Sequence, residues 1–393
     1  MSEIKKQAVI MQILPSLNMG GVERGTIDIA KAILKAELTP IVVSSGGNMT
    51  AYLREAKIKH IELPVNSKNP WLIYKNIEKI VNLIREYNVD IIHVRSRAPA
   101  WSAYYACQKT GCKLISTFHG SYSNRLFTKK PSFIKTIYNG IMLKADYVIA
   151  VSGFIKNYIK ENFSIAAKIS DQNLVVIHRG VDLNYFDENK VSQPRMIQLA
   201  RNWNLPEDKA IIMLPARITS WKGHEFLIDA LAKVKNDNFF CIIVGSDRDH
   251  KEYSHRLEKR IEKNNLEGKV QIVGETRDMP AAYLVCDIII SASVKPEAFG
   301  RIAIEAGAMS RTIIATNIGG STETIIPGKT GFLVEPNDID DLASKIDYVL
   351  SLSQSDRKEI GIAARKYIEQ NFSNQKMCDE TIALYQKILI NTL

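Results

Sequence analysis

The chain is expected to fold as two α/β domains, each built on a doubly wound parallel sheet. Short apolar runs of strand type alternate with segments of helical spacing along nearly the whole length. A polar break without apolar period divides them into two series, and 393 residues is long for a single core. In the first series, residues 8–17 (AVIMQILPSL), 39–45 (TPIVVSS), 60–65 (HIELPV), 89–96 (VDIIHVRS), 113–120 (KLISTFHG), 146–152 (DYVIAVS) and 173–180 (NLVVIHRG) read as strands. Helices, such as those over 24–34 and 71–87, lie between several of them. The break is DLNYFDENKVSQPR (182–195), polar and containing Pro194. The second series repeats the pattern with AIIMLPAR (210–217), FFCIIVGS (239–246), KVQIVG (269–274), CDIIISA (286–292), RTIIATN (311–317) and GFLVE (331–335).

Composition narrows the function classes. With 46% hydrophobic and 24% charged residues, the chain has ordinary globular make-up and can bury two cores. Its five cysteines (Cys107, Cys112, Cys241, Cys286, Cys378) are odd in number and lack metal-ligand pair spacing, which predicts a reduced cytoplasmic compartment and no metal. Residues 8–17 are too short, and too poor in small residues at their end, for a signal peptide. No stretch approaches the length of a membrane span. Residues 127–144 (FTKKPSFIKTIYNGIMLK) mix basic and bulky apolar residues with helical spacing after Pro131, which suits an interfacial helix or a core-facing helix with a basic outer face. No nucleic-acid partner is expected, because no compact basic run with interleaved aromatics appears.

The chemistry is concentrated in PEAFGRIAIEAGAMSRTIIATNIGGSTE (296–323). Residues 286–293 read as a strand, 300–309 as a helix and 312–317 as the next strand. Glu297 then lies on the loop at the carboxyl end of a parallel strand, where open sheets bind ligands, and Glu305 lies inside the helix. Backbone N–H groups near Phe299, Gly300 and Arg301 face the same crevice and favour a phosphate. A carboxylate beside a diphosphate is repelled, so two of them point to another task, that of accepting hydrogen bonds from sugar hydroxyls. Glu305 suits a ribose diol, and Glu297 the sugar to be transferred.

Arg217 and Lys222 follow the strand 210–217 and precede a helix opening near Gly223. A guanidinium fork and an ammonium point charge suit a diphosphate there and would replace a metal ion. Gly274, ending 269–274, is a further donor contact. Gly20 and Gly21 join the first strand to the first helix, where glycine lets backbone approach a ligand closely; the spacing is not G-x-G-x-x-G, so no dinucleotide site is expected. His119 stands at a strand end. Arg95, Arg97 and Trp101 are candidate acceptor contacts, Trp101 by stacking on a sugar ring. Gly319, Gly320 and Glu323 recur at the following strand end, with Glu323 read as orienting Arg217 or Lys222 or as a helix cap.

The string E-A-F-G-R-I-A-I-E, two glutamates with seven residues between them, resembles the signature of retaining glycosyltransferases of family 4, whose fold is of the GT-B type. LNMGGVER, STFHG, VIAVS, VIHRGVD, PARITSWKG and GGSTETI resemble that family in the same order, so the resemblance spans nearly the whole chain. It implies two doubly wound Rossmann-like domains facing a central cleft. An acceptor-binding domain would cover 1–183 and a nucleotide-sugar-binding domain 184–373, with a C-terminal helix of about 374–393 packing back on the first. It also implies metal-independent transfer of a sugar from a nucleoside diphosphate to an acceptor hydroxyl, with retention and with no cofactor beyond the donor. His119, Glu297, Arg217 and Lys222 would be catalytic, His119 by hydrogen-bonding the donor sugar instead of acting as a strong base. The loop of Gly20 and Gly21 would touch the leaving phosphate and the acceptor. Ala216 departs from the family, where glycine is more usual.

Charge divides along the same boundary. Residues 1–185 hold 25 Lys and Arg against 13 Asp and Glu, a net +12, and residues 186–393 hold 27 against 29, a net −2. The first domain is therefore expected to meet a saccharide or lipid-linked saccharide acceptor and an anionic membrane surface, in lipopolysaccharide or other cell-envelope glycan synthesis. The competing readings are a nucleotide-sugar epimerase of the same architecture, a phosphorylase carrying pyridoxal phosphate, and a non-catalytic sugar-nucleotide-binding module.

Overall fold

A computed structural model describes residues 7–18, 20–121, 133–163, 170–246 and 251–391. The chain divides into two compact units, Met1–Arg179 with Asn374–Leu393, and Gly180–Ser373. The first holds a seven-stranded sheet of β1 (Val9–Ile13), β2 (Thr39–Ser44), β3 (Lys59–Glu62), β4 (Ile91–Val94), β5 (Lys113–Phe118), β6 (Tyr147–Ala150) and β7 (Leu174–Val176), in the order β3-β2-β1-β4-β5-β6-β7. All neighbours run parallel, with Val9 opposite Thr39 and Ile10 opposite Ile91. Strands β1 and β4 are buried at every position, which is why they read as apolar runs interrupted only by Gln12 and His93. The edge strand β3 exposes Lys59 and Glu62, and charge on an edge discourages pairing with another chain.

Helix Gly21–Lys35 turns Ile27, Ala30 and Ile33 inward on one stripe. Helix Asn374–Ile390 adds Met377, Cys378, Leu384, Tyr385 and Ile388 to the core cluster that holds Ile10, Ile33, Ile91 and Ile115. Asn374 Nδ2 also donates to Asp28 Oδ2 at 3.0 Å. Fully burying a Leu or Ile side chain stabilises by about 1.5–3 kcal/mol, so this helix is an integral part of the first core. Of the segment 127–144, residues 127–132 lie outside the described residues. The remainder is helix Phe133–Gly140 followed by the 3-10 turn Ile141–Lys144. Ile141, Met142 and Leu143 are buried and Ile137 is exposed, so the described part packs mainly into the core.

The second unit holds β8 (Ala210–Pro215), β9 (Phe239–Val244), β10 (Val270–Gly274), β11 (Ile288–Ser291), β12 (Thr312–Thr316) and β13 (Phe332–Val334), all parallel, in the order β10-β9-β8-β11-β12-β13. The polar stretch read as a break is anchored to this unit. Val181 N–H donates to Phe372 O at 2.9 Å, Val181 and Phe186 are buried, and Arg365 Nη1 donates to Phe186 O at 2.8 Å. The division between the units therefore falls between Arg179 and Gly180, slightly earlier than composition indicates.

Candidate active site

Both sheets start at the centre, wind outward one way and then restart on the other side. The switch points lie between β8 and β11 in the second unit and between β1 and β4 in the first, and such points are where open α/β sheets bind ligands. In the second unit the turns leaving β8 and β11 almost touch. Gly223 has φ +76°, and a Cβ there would stand 1.8 Å from the Ala292 carbonyl oxygen; Val294 N–H donates to Trp221 O at 2.9 Å. This approach brings Lys222 Nζ to 2.8 Å from Glu297 Oε1, with the two side chains only 12% and 13% exposed. Ser293 Oγ donates to the same oxygen, and Nζ lies 4.5 Å from the Trp221 ring centroid. The turn leaving β12 closes the group, since Gly320 N–H donates to Glu297 O at 2.8 Å and a Cβ on Gly319 (φ +68°) would meet that oxygen at 2.5 Å.

Helix Arg301–Ala308 begins after Gly300; Ala303 N–H donates to Gly300 O at 3.2 Å, while the N–H groups of Arg301 and Ile302, ahead of it, have no intrahelical acceptor. One turn on, Glu305 Oε1 accepts from Arg301 Nη2 at 2.7 Å and Oε2 from Tyr283 Oη at 3.0 Å. Tyr283 is fully buried; burial and the Glu305 carboxylate push its phenol well above the usual range, so it remains a donor. Each carboxylate oxygen keeps acceptor capacity for a further hydroxyl. Phe299 contributes backbone only, because its buried ring packs edge-on against Phe372. Arg217 is exposed and its guanidinium has no partner among the described residues. Gly274 ends the edge strand β10, two strands away from β8.

The first unit builds a second polar group. Arg179, just beyond β7, donates from Nη1 to His119 Nδ1 at 3.1 Å and from Nη2 to Gly21 O. Arginine cannot accept, so Nδ1 is the bare nitrogen and the ring proton sits on Nε2. That atom is enclosed and has no partner among the described residues. Burial first, then the charges of Arg179 and Arg95 and the ring of His93, hold His119 well below the usual histidine value, so the ring is neutral. Arg95 follows β4 and donates to Gln12 Oε1 from Nε at 3.2 Å and from Nη2 at 2.7 Å. His93 lies within β4, fully buried, between Tyr385 Oη and Thr117 Oγ1, both at 2.6 Å. Arg97 opens helix Arg97–Thr110 and donates to Asn139 Oδ1 at 2.8 Å, while Trp101 stacks on Tyr138 with centroids 6.2 Å apart.

Residues 19–185 match the family Glycosyltransferase Family 4, and residues 197–367 match Glycosyl transferases group 1. The crystal structure of a glycosyltransferase from Rickettsia africae ESF-5 is 44% identical, with a TM-score of 0.88 over 98% of this chain and 99% of that one. The chain is a glycosyltransferase of the family 4 type. N-acetyl-alpha-D-glucosaminyl L-malate synthase of Bacillus anthracis is 26% identical over 315 residues, 79% of this chain and 78% of the synthase. Anabaena HepE, crystallised in complex with UDP, is 22% identical with a TM-score of 0.82 over 97% of this chain and 100% of that one, and it shares the fold. Two Rossmann-like units with parallel sheets place this glycosyltransferase in the GT-B class.

Within each unit the glycosyltransferase gathers some of the residues singled out from sequence. Lys222, Glu297 and the start of helix Arg301–Ala308 share one switch point, with Glu305 a turn further along. His119 and Gly21 are linked by Arg179 in the first unit, and Arg95 leaves β4 at its switch point. Gly20 directly precedes helix Gly21–Lys35, where the Glu23 carboxylate folds over it. The carboxylate paired with Lys222 is Glu297, while Glu323 lies in the short helix Ser321–Thr324. Arg97 and Trp101 join a neighbouring polar and aromatic group instead. Arg179, Ser293 and Tyr283 escape a reading by motif. Arg179 stands in VIHRGVD, and the histidine it serves lies 60 positions away.

Buried neutral histidines make the glycosyltransferase sensitive to acid. His224, fully buried behind Lys222, is lowered to about 4, chiefly by burial, with the carbonyls of Ala216 and Thr219 partly offsetting it. A histidine depressed in the folded state leaves stability intact above the unfolded value near 6.5 and removes it as pH falls towards the folded value. His93 and His119 act in the same direction. Urea unfolding at pH 7 and pH 5 checks this, with the loss of stability expected to be about 2 kcal/mol smaller in His224→Gln than in the parent.

Proposed function

We propose that the chain is a retaining, metal-independent glycosyltransferase that moves a sugar from a nucleoside diphosphate sugar to an acceptor hydroxyl in lipopolysaccharide or other cell-envelope glycan synthesis. The observation that carries this reading is the Lys222–Glu297 pair beside the open start of helix Arg301–Ala308. A cation and unpaired N–H groups suit a diphosphate. Arg217 adds a second cation at the exposed end of the same turn, and together the two cations stabilise the leaving diphosphate in place of a metal. Glu305 accepts from the ribose diol and Glu297 from the transferred sugar. His119, a donor at Nε2 and blocked at Nδ1, hydrogen-bonds the donor sugar and does not serve as a base. The bond from the anomeric carbon to the phosphate oxygen breaks, the acceptor oxygen bonds to the same face, and its proton passes to the leaving phosphate.

The net +12 of residues 1–185 supports an anionic membrane surface as a partner of the first unit. The five cysteines are free thiols, in keeping with a cytoplasmic enzyme at the inner face of a membrane. No helix among the described residues is long and apolar enough to cross one. A thermal-shift panel of nucleotide sugars tests the donor assignment, because a true donor raises the melting temperature by mass action. One nucleoside diphosphate sugar is expected to stabilise the parent, and Glu305→Gln to weaken it about tenfold or more, the equivalent of about 1.5–3 kcal/mol for a hydrogen bond to a charged group. The absence of any shift across the panel would remove the reading. The anomeric configuration of the product, read by NMR against that of the donor, decides between retention and inversion.

A further inference from the structure

Among the described residues, Arg95 is a buried charge without a counter-charge. Its side chain belongs to a residue only 5% exposed, and no carboxylate lies within ion-pair distance of it among the described residues. Both of its hydrogen bonds go to one neutral oxygen, Gln12 Oε1, and Gln12 is held in turn by Nε2 donating to Thr26 O at 3.0 Å. The nearest acid to act on it, Asp28, is already engaged by Arg24 at 3.6 Å and Asn374 at 3.0 Å. Burying a charge is costly unless it is paired, and arginine does not escape by losing its proton. A guanidinium has five N–H donors, so about three of those on Arg95 remain unused.

The position of this charge narrows its purpose. Arg95 leaves β4 next to β1, with its backbone N–H donating to Ile13 O at 2.9 Å, at the switch point of the first sheet. Helix Gly21–Lys35 starts at the same edge, and Arg179 bridges its first residue to His119. Two guanidiniums, those of Arg95 and Arg179, therefore stand at this edge. Glu23 is the acid in the first helical turn, and its carboxylate folds back over Gly20. A guanidinium that lacks a carboxylate partner among the described residues, as that of Arg95 does, fits an oxyanion better than it fits a hydroxyl.

We propose that Arg95 forms a site in the first unit, on the sheet edge that Arg179 also reaches, for an anionic group, phosphate or carboxylate, carried by the acceptor. The assignment to the acceptor rests on the reading above, in which Lys222 and Arg217 of the second unit hold the donor diphosphate. The acceptor is therefore a phosphorylated or acidic saccharide, or another hydroxy acid, and the anion anchors it through its non-reacting part.

The test uses the full chain and inorganic phosphate as the probe. Calorimetric titration of phosphate into the parent saturated with its nucleoside diphosphate is expected to show one bound phosphate. In Arg95→Gln the phosphate dissociation constant should rise at least tenfold while nucleotide affinity stays within twofold, and Arg95→Lys, which keeps the charge, should fall between. Loss of phosphate binding once nucleotide saturates the parent would overturn the proposal, as would a parent that binds no phosphate or an Arg95→Gln variant that loses nucleotide and phosphate equally. Should Arg95→Gln fail to fold, the competition in the parent and Arg95→Lys decide the matter. A parent that binds phosphate through Arg95 but no nucleotide would instead sink the donor reading and leave the anion site standing.

Discussion

Lys222→Ala is expected to lower turnover roughly 100- to 1000-fold, the loss that follows when one preorganised donor is removed from a site of developing charge, about 2.7–4 kcal/mol. Stability will fall as well, because the change leaves the mostly buried Glu297 carboxylate without its cation, and breaking a buried pair destabilises by about 3–5 kcal/mol. The two effects separate in the double variant Lys222→Ala with Glu297→Gln. Neutralising Glu297 removes the stranded charge, so the melting temperature should recover much of its loss. Turnover should not recover, since no cation then meets the leaving diphosphate. If steady-state assays with the assigned donor show that turnover returns along with stability, Lys222 is only a structural partner of Glu297. Lys222→Arg is expected to keep the charge but not the rate, because the planar guanidinium cannot occupy the place held between Glu297 Oε1 and the Trp221 ring.

The fold was legible because its signals are local. Every expected strand has a counterpart, since a strand buried on both faces must be largely apolar, and β4, β9 and β11 are buried at each position. Glu297 and Glu305 were legible for the same reason, lying on one βαβ unit a fixed distance apart. What the chain order hides is pairing across the sheet. Nothing near Lys222 announces that its carboxylate lies 75 positions on, and Tyr385 reaches His93 across 292 positions. Arg95, Arg97 and Trp101 look alike as candidates in RSRAPAW. The fold separates them, because helix phase turns Arg97 and Trp101 towards Asn139 and Tyr138, while Arg95 remains at the strand end facing Gln12. Tyr283, which no motif singles out, is the buried donor to Glu305.

Gly223→Ala should disable the same site by a different route. Two costs arise at this residue, and they can be told apart. A side chain at φ +76° is strained, worth about 1–3 kcal/mol. The new Cβ would also stand 1.8 Å from the Ala292 carbonyl oxygen, so the turns leaving β8 and β11 must move apart. Gly268→Ala is the control, since Gly268 lies in the same unit with φ +75° and has nothing within 4 Å of the Cβ position. Denaturant unfolding should show Gly268→Ala carrying the conformational cost alone and Gly223→Ala losing clearly more. Separating the turns also draws Lys222 away from Glu297 and strains the Val294 to Trp221 hydrogen bond, so nucleotide affinity should fall in Gly223→Ala and not in Gly268→Ala. Equal losses of stability in the two variants, with nucleotide affinity unchanged in both, would mean that the close approach of these turns does not set the geometry of the site.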